Sequence, residues 1–146
     1  MEIMKHDFLL SEWEKDSEIN DIDLNKSSKN IPKIHAKYLG ILANHKAMRI
    51  SLNHKDESLR KDLEIYYSGQ GTADVYKKKP FDLKLKSKAA IDKHVSTDPQ
   101  IISIRNKLEY IDVIIEATEY ILKQISQQNF VIKNIIDFEK FRNGIV

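Results

Sequence analysis

The chain has no cysteine among its 146 residues, which excludes structural disulfides and thiolate metal sites and fits a reducing compartment. Glycine and proline are scarce, at four and three, so little turn chemistry is available, and no stretch alternates polar and apolar residues as a half-buried strand does. No uncharged apolar run approaches the roughly 18 residues of a membrane span. The short apolar run within residues 1–10 carries acids and lacks a cleavage-site pattern, so it does not read as a signal peptide. These absences predict a soluble, cytoplasmic, all-α protein, long enough for one domain with a core of its own.

An excess of one charge is also missing, since 24 basic and 22 acidic residues nearly cancel. Their distribution is uneven. Residues 1–23 hold two lysines against eight acids; residues 24–61 hold nine Lys/Arg against Asp56 and Glu57; residues 77–93 hold seven lysines against Asp82 and Asp92. An acidic head, a basic middle and a near-neutral tail favour a polyanionic partner for the middle. The expected organisation is an acidic segment over 1–23, a basic DNA-binding region over 24–95 and an oligomerisation region over 96–146.

Catalytic patterns are lacking as well. Gly69-Gln70-Gly71-Thr72 has neither the lysine nor the spacing of a phosphate-cradling loop. None of His6, His35, His45, His54 and His94 stands three or four residues from another, so no metal site is expected. His45 reads as an interface or partly buried histidine. No cofactor and no enzymatic activity are expected.

What is present is helical periodicity. From Ile31 an apolar seam recurs through Ile34, Tyr38, Ile41, His45, Met48, Leu52, Leu59 and Tyr66, predicting a long helix capped by Asn30, with Pro32 in its first turn and Gly69 and Gly71 at its stop. A helix of that length exceeds what one small core covers, and pairing with another chain is expected. Residues 72–81 read as a connector and 82–95 as a short helix with Asp82 as its cap. Asp98-Pro99 predicts a further helix start. Beyond it Ile101, Ile104, Leu108, Ile111, Ile115, Leu122 and Ile125 form one face, and Tyr110, Val113, Ile114, Ala117 and Ile121 a second. A last helix from about Phe130 to Arg142 would complete a hairpin over 99–143. One surplus apolar face is left for a neighbouring subunit, with Ile111, Ile114, Ile115, Ile121, Phe130, Val131, Ile135 and Phe138 as its interface residues. In the acidic head, Leu9 and Trp13 stand one turn apart and predict a short amphipathic helix that docks on a partner or covers the basic groove.

The basic middle suggests single-stranded nucleic acid, which needs cations for its backbone and faces for its bases. Lys46, Arg49, Lys55, Arg60, Lys61, Lys77, Lys78 and Lys79 are the expected phosphate contacts. One ring of the Tyr66-Tyr67 pair continues the seam and packs; Tyr67 is the candidate for stacking.

The order of a basic helix, Tyr66-Tyr67-Ser68-Gly69, a connector with Pro80-Phe81-Asp82, a capping Asp98 and the ending Asn129-Phe130-Val131-Ile132-Lys133-Asn134-Ile135-Ile136-Asp137-Phe138-Glu139-Lys140-Phe141 resembles the UvsY family of phage recombination mediators. The resemblance covers about residues 24–146. It implies a protein without enzymatic activity, in the host cytoplasm, that binds single-stranded DNA, weakens the phage single-strand-binding protein on it and helps a UvsX-type recombinase to nucleate. It also implies a ring-shaped homo-oligomer, a heptamer, held through C-terminal helices. Lys61 falls at one of the family's basic DNA-contact positions, and Leu63 at a second, with Arg60 as a neighbouring substitute. Two other classes stay open: a coiled-coil scaffold whose lysines only solvate it, and an adaptor or DNA mimic acting through the acidic head.

Overall fold

The computed structural model describes residues 2–81, 83 and 85–144, and every regular element among them is a helix. They are α1 (His6–Asp16), α2 (Leu24–Tyr67), α3 (Ala73–Lys78), α4 (Lys88–Ser96) and α5 (Pro99–Arg142). The all-α class therefore holds, while several boundaries differ from expectation. α2 starts at Leu24 rather than at Ile31, because Asp23 satisfies its first donors: the Lys26 N–H donates to Asp23 Oδ1 at 3.0 Å and the Ser27 N–H to the Asp23 carbonyl at 3.2 Å. Asn30 is thus no cap, and Pro32 lies inside the helix.

The expected C-terminal hairpin is also absent. α5 is one helix of 44 residues. The polar stretch Ser126-Gln127-Gln128-Asn129 contains no glycine or proline to break it, and two of its side chains are bonded within the chain: Ser126 Oγ donates to the Leu122 carbonyl at 3.1 Å, and Gln128 is buried with its amide donating to the Ser17 carbonyl at 3.4 Å. The connector contains α3. In α4, Ser87 provides the cap, accepting from the Ala90 N–H at 3.1 Å; the cap expected at Asp82 lies outside the described residues.

Packing divides the chain into two units, residues 1–47 with 111–146, and residues 48–110. In the first unit the N-terminal half of α2 and the C-terminal half of α5 run antiparallel, and Lys46 pairs with Glu119 at 3.4 Å. Their facing residues recur at alternating steps of three and four: Ile31, Ile34, Tyr38, Ile41 and His45 on α2, and Ile111, Ile114, Thr118, Ile121, Ile125, Gln128 and Ile132 on α5 are buried or half-buried. That spacing is the heptad rhythm of paired helices. Along each helix the rhythm changes phase near residues 48 and 111, through two successive steps of four at Met48, Leu52 and Asp56 and two of three at Leu108, Ile111 and Ile114.

α1 completes the first unit's core. Leu9 is fully buried with Tyr38, Ile114, Ile121 and Ile125, a burial that stabilises by about 1.5–3 kcal/mol. Trp13 meets Tyr38 edge-on at 5.7 Å. Lys37 Nζ donates to Asp16 Oδ2 at 2.6 Å and Glu12 Oε2 at 3.0 Å, and Tyr38 Oη donates to Asp16 at 2.9 Å. Burial opposes ionisation of Asp16, yet the bonds from Lys37 and Tyr38 outweigh it and hold its carboxyl below the usual value. The amphipathic helix expected in the acidic head is real, and its apolar side packs on its own chain. The buried His45 fixes the segment before α1: its Nδ1–H donates to the Ile41 carbonyl at 2.8 Å and Nε2 accepts from the Met4 N–H at 3.1 Å.

These contacts correct part of the expected interface. Ile111, Ile114 and Ile121 are buried within the chain, at 0%, 0% and 2% exposure, and for Ile114 and Ile121 it is Leu9 of α1 and Tyr38 of α2 that supply the partner expected from a neighbouring subunit. Ile115 and Ile135 are half-buried. Phe130, Val131 and Phe138 are exposed. On α5, Val113, Tyr120, Val131, Phe138 and Phe141 are all exposed and stand on one further stripe of three- and four-residue steps, completed by Ala117, Gln124, Gln127 and Asn134.

Candidate nucleic-acid interface

The second unit is organised around the end of α2. After Tyr67 the chain turns through Gly69, whose φ of 78° is the left-handed conformation that glycine adopts most readily. The Gly69 N–H donates to the Tyr66 carbonyl and the Gln70 N–H to the Ile65 carbonyl, each at 3.2 Å, the paired bonds that close a helix at a C-terminal glycine. Tyr-Tyr-Ser-Gly is therefore a helix stop with two rings on its last turn.

Both rings are packed. Tyr66 is 7% exposed and Tyr67 9%, in a cluster with Leu63, Val95 and Ile101. Tyr66 lies under Tyr76, stacked at 5.4 Å, and donates its hydroxyl to the Lys79 carbonyl at 2.9 Å. Tyr76 Oη donates to the Tyr66 carbonyl at 2.8 Å and accepts from the Gly71 N–H at 3.0 Å; a Cβ on Gly71 would lie 3.1 Å from that oxygen. Tyr67 meets Phe81 edge-on at 5.0 Å and donates to Asp98 Oδ2 at 2.7 Å. Burial first, then the Asp98 bond, pushes its phenol up to about 12. Asp98 also receives the Gln100 N–H on Oδ1 at 2.8 Å, so it caps α5 as expected. The stacking role expected for Tyr67 is corrected: its ring ties the end of α2 to the start of α5.

The expected phosphate contacts fall into distinct groups. Lys46 belongs to the first unit, beside Glu119. Arg49 and Arg60 lie on one stripe of α2, since eleven residues at about 100° per residue return within about 20°. Arg60 Nε donates to Asp56 Oδ2 at 2.9 Å. Lys55 stands about 140° round the helix from Arg60 and Lys61 about 100°, and both are exposed. Lys77 and Lys78 form the exposed last turn of α3, and Lys79 follows with its Nζ 5.6 Å from the centre of the Tyr66 ring. The structure adds Lys86 and Lys88, which line a cleft beside the end of α2; their signal was the lysine-rich stretch 77–93, in which only the Lys77–Lys79 run stood out. Among the described residues no group of acids and histidines is arranged to hold a metal, and no helix is long and apolar enough to cross a membrane.

Comparison with known proteins places this arrangement. The fold matches crystal structures of the bacteriophage T4 recombination mediator protein UvsY. In one lattice the TM-score is 0.82 at 23% identity, covering 96% of this chain and 98% of that one. A second gives 0.81 at 21%, covering 95% and 99%, and a third 0.81 at 23%, covering 92% and 98%. No curated protein matches significantly in sequence. The family model described as "Recombination, repair and ssDNA binding protein UvsY" matches residues 12–145. With nearly the whole of its length matched in this way, the chain belongs to the UvsY family.

Proposed function

We propose that this chain is a recombination mediator that binds single-stranded DNA as a ring-shaped homo-oligomer, weakens the hold of a phage single-strand-binding protein and promotes loading of a UvsX-type recombinase. It does so without catalysing a reaction, in the cytoplasm of the host cell. The observation that carries this reading is the exposure of Lys55, Lys61, Lys77, Lys78 and Lys79 in a member of this family.

Each phosphate neutralised by a lysine or arginine releases counterions, so a single subunit is a weak and salt-sensitive site. A ring repeats the site and raises its effective concentration, giving tight binding without sequence readout. The outward stripe of Val113, Tyr120, Val131, Phe138 and Phe141, with Phe130 beside it, supports assembly through α5, and the family resemblance sets the expected number at seven. A strand held along such a ring is bent away from the form its binding protein covers and is displayed to the recombinase.

The test is the double variant Arg60→Ala/Lys61→Ala. Binding should weaken about equally for any sequence, and the salt dependence should flatten by about 1.4 units, at ~0.7 per phosphate contact on single strands. Wild-type affinity with an unchanged slope would reduce the basic helix to a solvated face.

A further inference from the structure

With Tyr66 and Tyr67 packed inside the second unit, whatever meets the bases of a bound strand must come from elsewhere. The cleft beside the end of α2, of about 360 Å³, lies at the lower end of the ~300–1,000 Å³ typical of small-molecule sites. We infer that it takes one nucleotide of the bound single strand, the base between Ile65 and Ile91 and the phosphates at Lys86 and Lys88. This rests on the DNA-binding reading above and adds a base-holding site to it.

Position is the first argument. Lys61, Ile65 and Ser68 follow one another at steps of four and three, so they share one face of α2. Ile65 and Ser68 form one wall of the cleft, and α4 forms the other with Lys88 and Ile91. A backbone tracked by Lys61 therefore arrives at the cleft within about two helical turns, each ~5.4 Å.

Chemistry is the second. Ile65 is 41% exposed, and Ile91, half-buried with one side packed on the unit's core, lines the same cleft, so two aliphatic side chains border the space for the flat face of a base. Around them are polar groups of both kinds. Glu64 and Asp92 line the same cleft as Lys86 and Lys88, and among the described residues none of these four forms an ion pair or side-chain hydrogen bond. Lysines donate only and carboxylates accept only. The lysines thus suit phosphate oxygens, and the carboxylates suit a base edge bearing an amino group. The site favours cytosine or adenine over thymine, a modest preference superimposed on sequence-blind phosphate binding.

The full-length protein is titrated with oligo(dC), oligo(dT) and an oligonucleotide carrying 2-aminopurine, whose fluorescence rises when it leaves its stacked neighbours. The wild type should bind all three, prefer oligo(dC) over oligo(dT) several-fold and brighten the aminopurine. Ile65→Ser, at a half-exposed helical position, should keep the wild-type melting temperature. It should weaken binding about fivefold or more, as expected for loss of a base-contact surface, and remove the brightening and the preference without changing the salt slope. Lys86→Ala/Lys88→Ala should lower that slope by about 1.4 units. If the wild type binds and Arg60→Ala/Lys61→Ala weakens it while Ile65→Ser keeps full affinity and brightening, the cleft assignment is overturned and the DNA-binding reading stands. If the wild type binds none of the oligonucleotides, both fall.

Discussion

Replacing Tyr67 by phenylalanine separates a structural tyrosine from a DNA-stacking one. The substitution keeps the ring against Phe81 and removes only the hydroxyl that donates to Asp98 at 2.7 Å. Asp98 is 1% exposed, so no bulk water replaces the lost donor, and the carboxylate is left with the Gln100 N–H. A hydrogen bond to a charged group contributes about 1.5–3 kcal/mol. Taking ~2 kcal/mol, a chain of this length should lose about 4–8 °C in melting temperature. The bond also sets a pH dependence. A phenol raised from 10.0 to about 12 contributes stability that is complete below pH 10 and is lost as the pH rises through 12; in Tyr67→Phe this loss should be missing. Thermal unfolding by circular dichroism, at neutral pH and from pH 9 to 12, measures both effects. At a temperature where the variant is folded, DNA affinity should equal that of the wild type, since the side chain is packed inside the second unit. The companion Tyr67→Leu should destabilise still more, through loss of aromatic contacts. An unchanged melting temperature for Tyr67→Phe would refute the buried bond. A Tyr67→Leu protein with full stability and weakened DNA binding would return the ring to the bases.

Further outcomes follow from the same contacts. Val131→Glu/Phe138→Glu alters only exposed positions of the outward stripe, so the protein should stay helical while its solution mass, measured by light scattering, falls; an unchanged mass would remove that stripe from the interface. Ile121→Glu, by contrast, places a charge in the first unit's core at a cost of several kcal/mol, and should lose helicity rather than merely dissociate. Acid should weaken the docking of α1: Asp16 has a depressed carboxyl, so its contribution is present above 3.8 and is lost as the pH falls through its lower folded-state value. Trp13 is the sole tryptophan and packs on Tyr38, so its fluorescence reports the loosening, and Lys37→Ala should move the change to higher pH.

Local chemistry made some of this fold legible from the sequence. Gly69 as a helix stop and Asp98-Pro99 as a start depend on short-range bonds, and both are found where residue type alone places them. The start of α2 was missed because Asp23, rather than Asn30, satisfies the first donors, and Pro32 is accommodated within the helix. The hairpin expected over 99–143 needs a break before Phe130, and the polar residues at 126–129, without glycine or proline, do not interrupt a helix. α5 carries two apolar stripes at similar spacing, and periodicity alone cannot say that α1 and α2 cover the one with Ile114 and Ile121 and leave Val131 and Phe138 outside. The burial of Tyr67 is equally invisible to periodicity, since it depends on Phe81, Val95 and Asp98, each distant in sequence. The lysines at 86 and 88 were visible as charge, while their meeting with Ile65 across a cleft is a tertiary fact.

The most direct test of the central claim is the affinity of the wild-type protein for single strands of several sequences across a range of salt concentrations, with the oligomer mass recorded in the same buffers. The account predicts that log K falls linearly with log salt, at ~0.7 per contacted phosphate, with nearly the same slope for every sequence and with the assembled species as the one that binds. Absence of binding at low salt, or binding indifferent to salt, would contradict it.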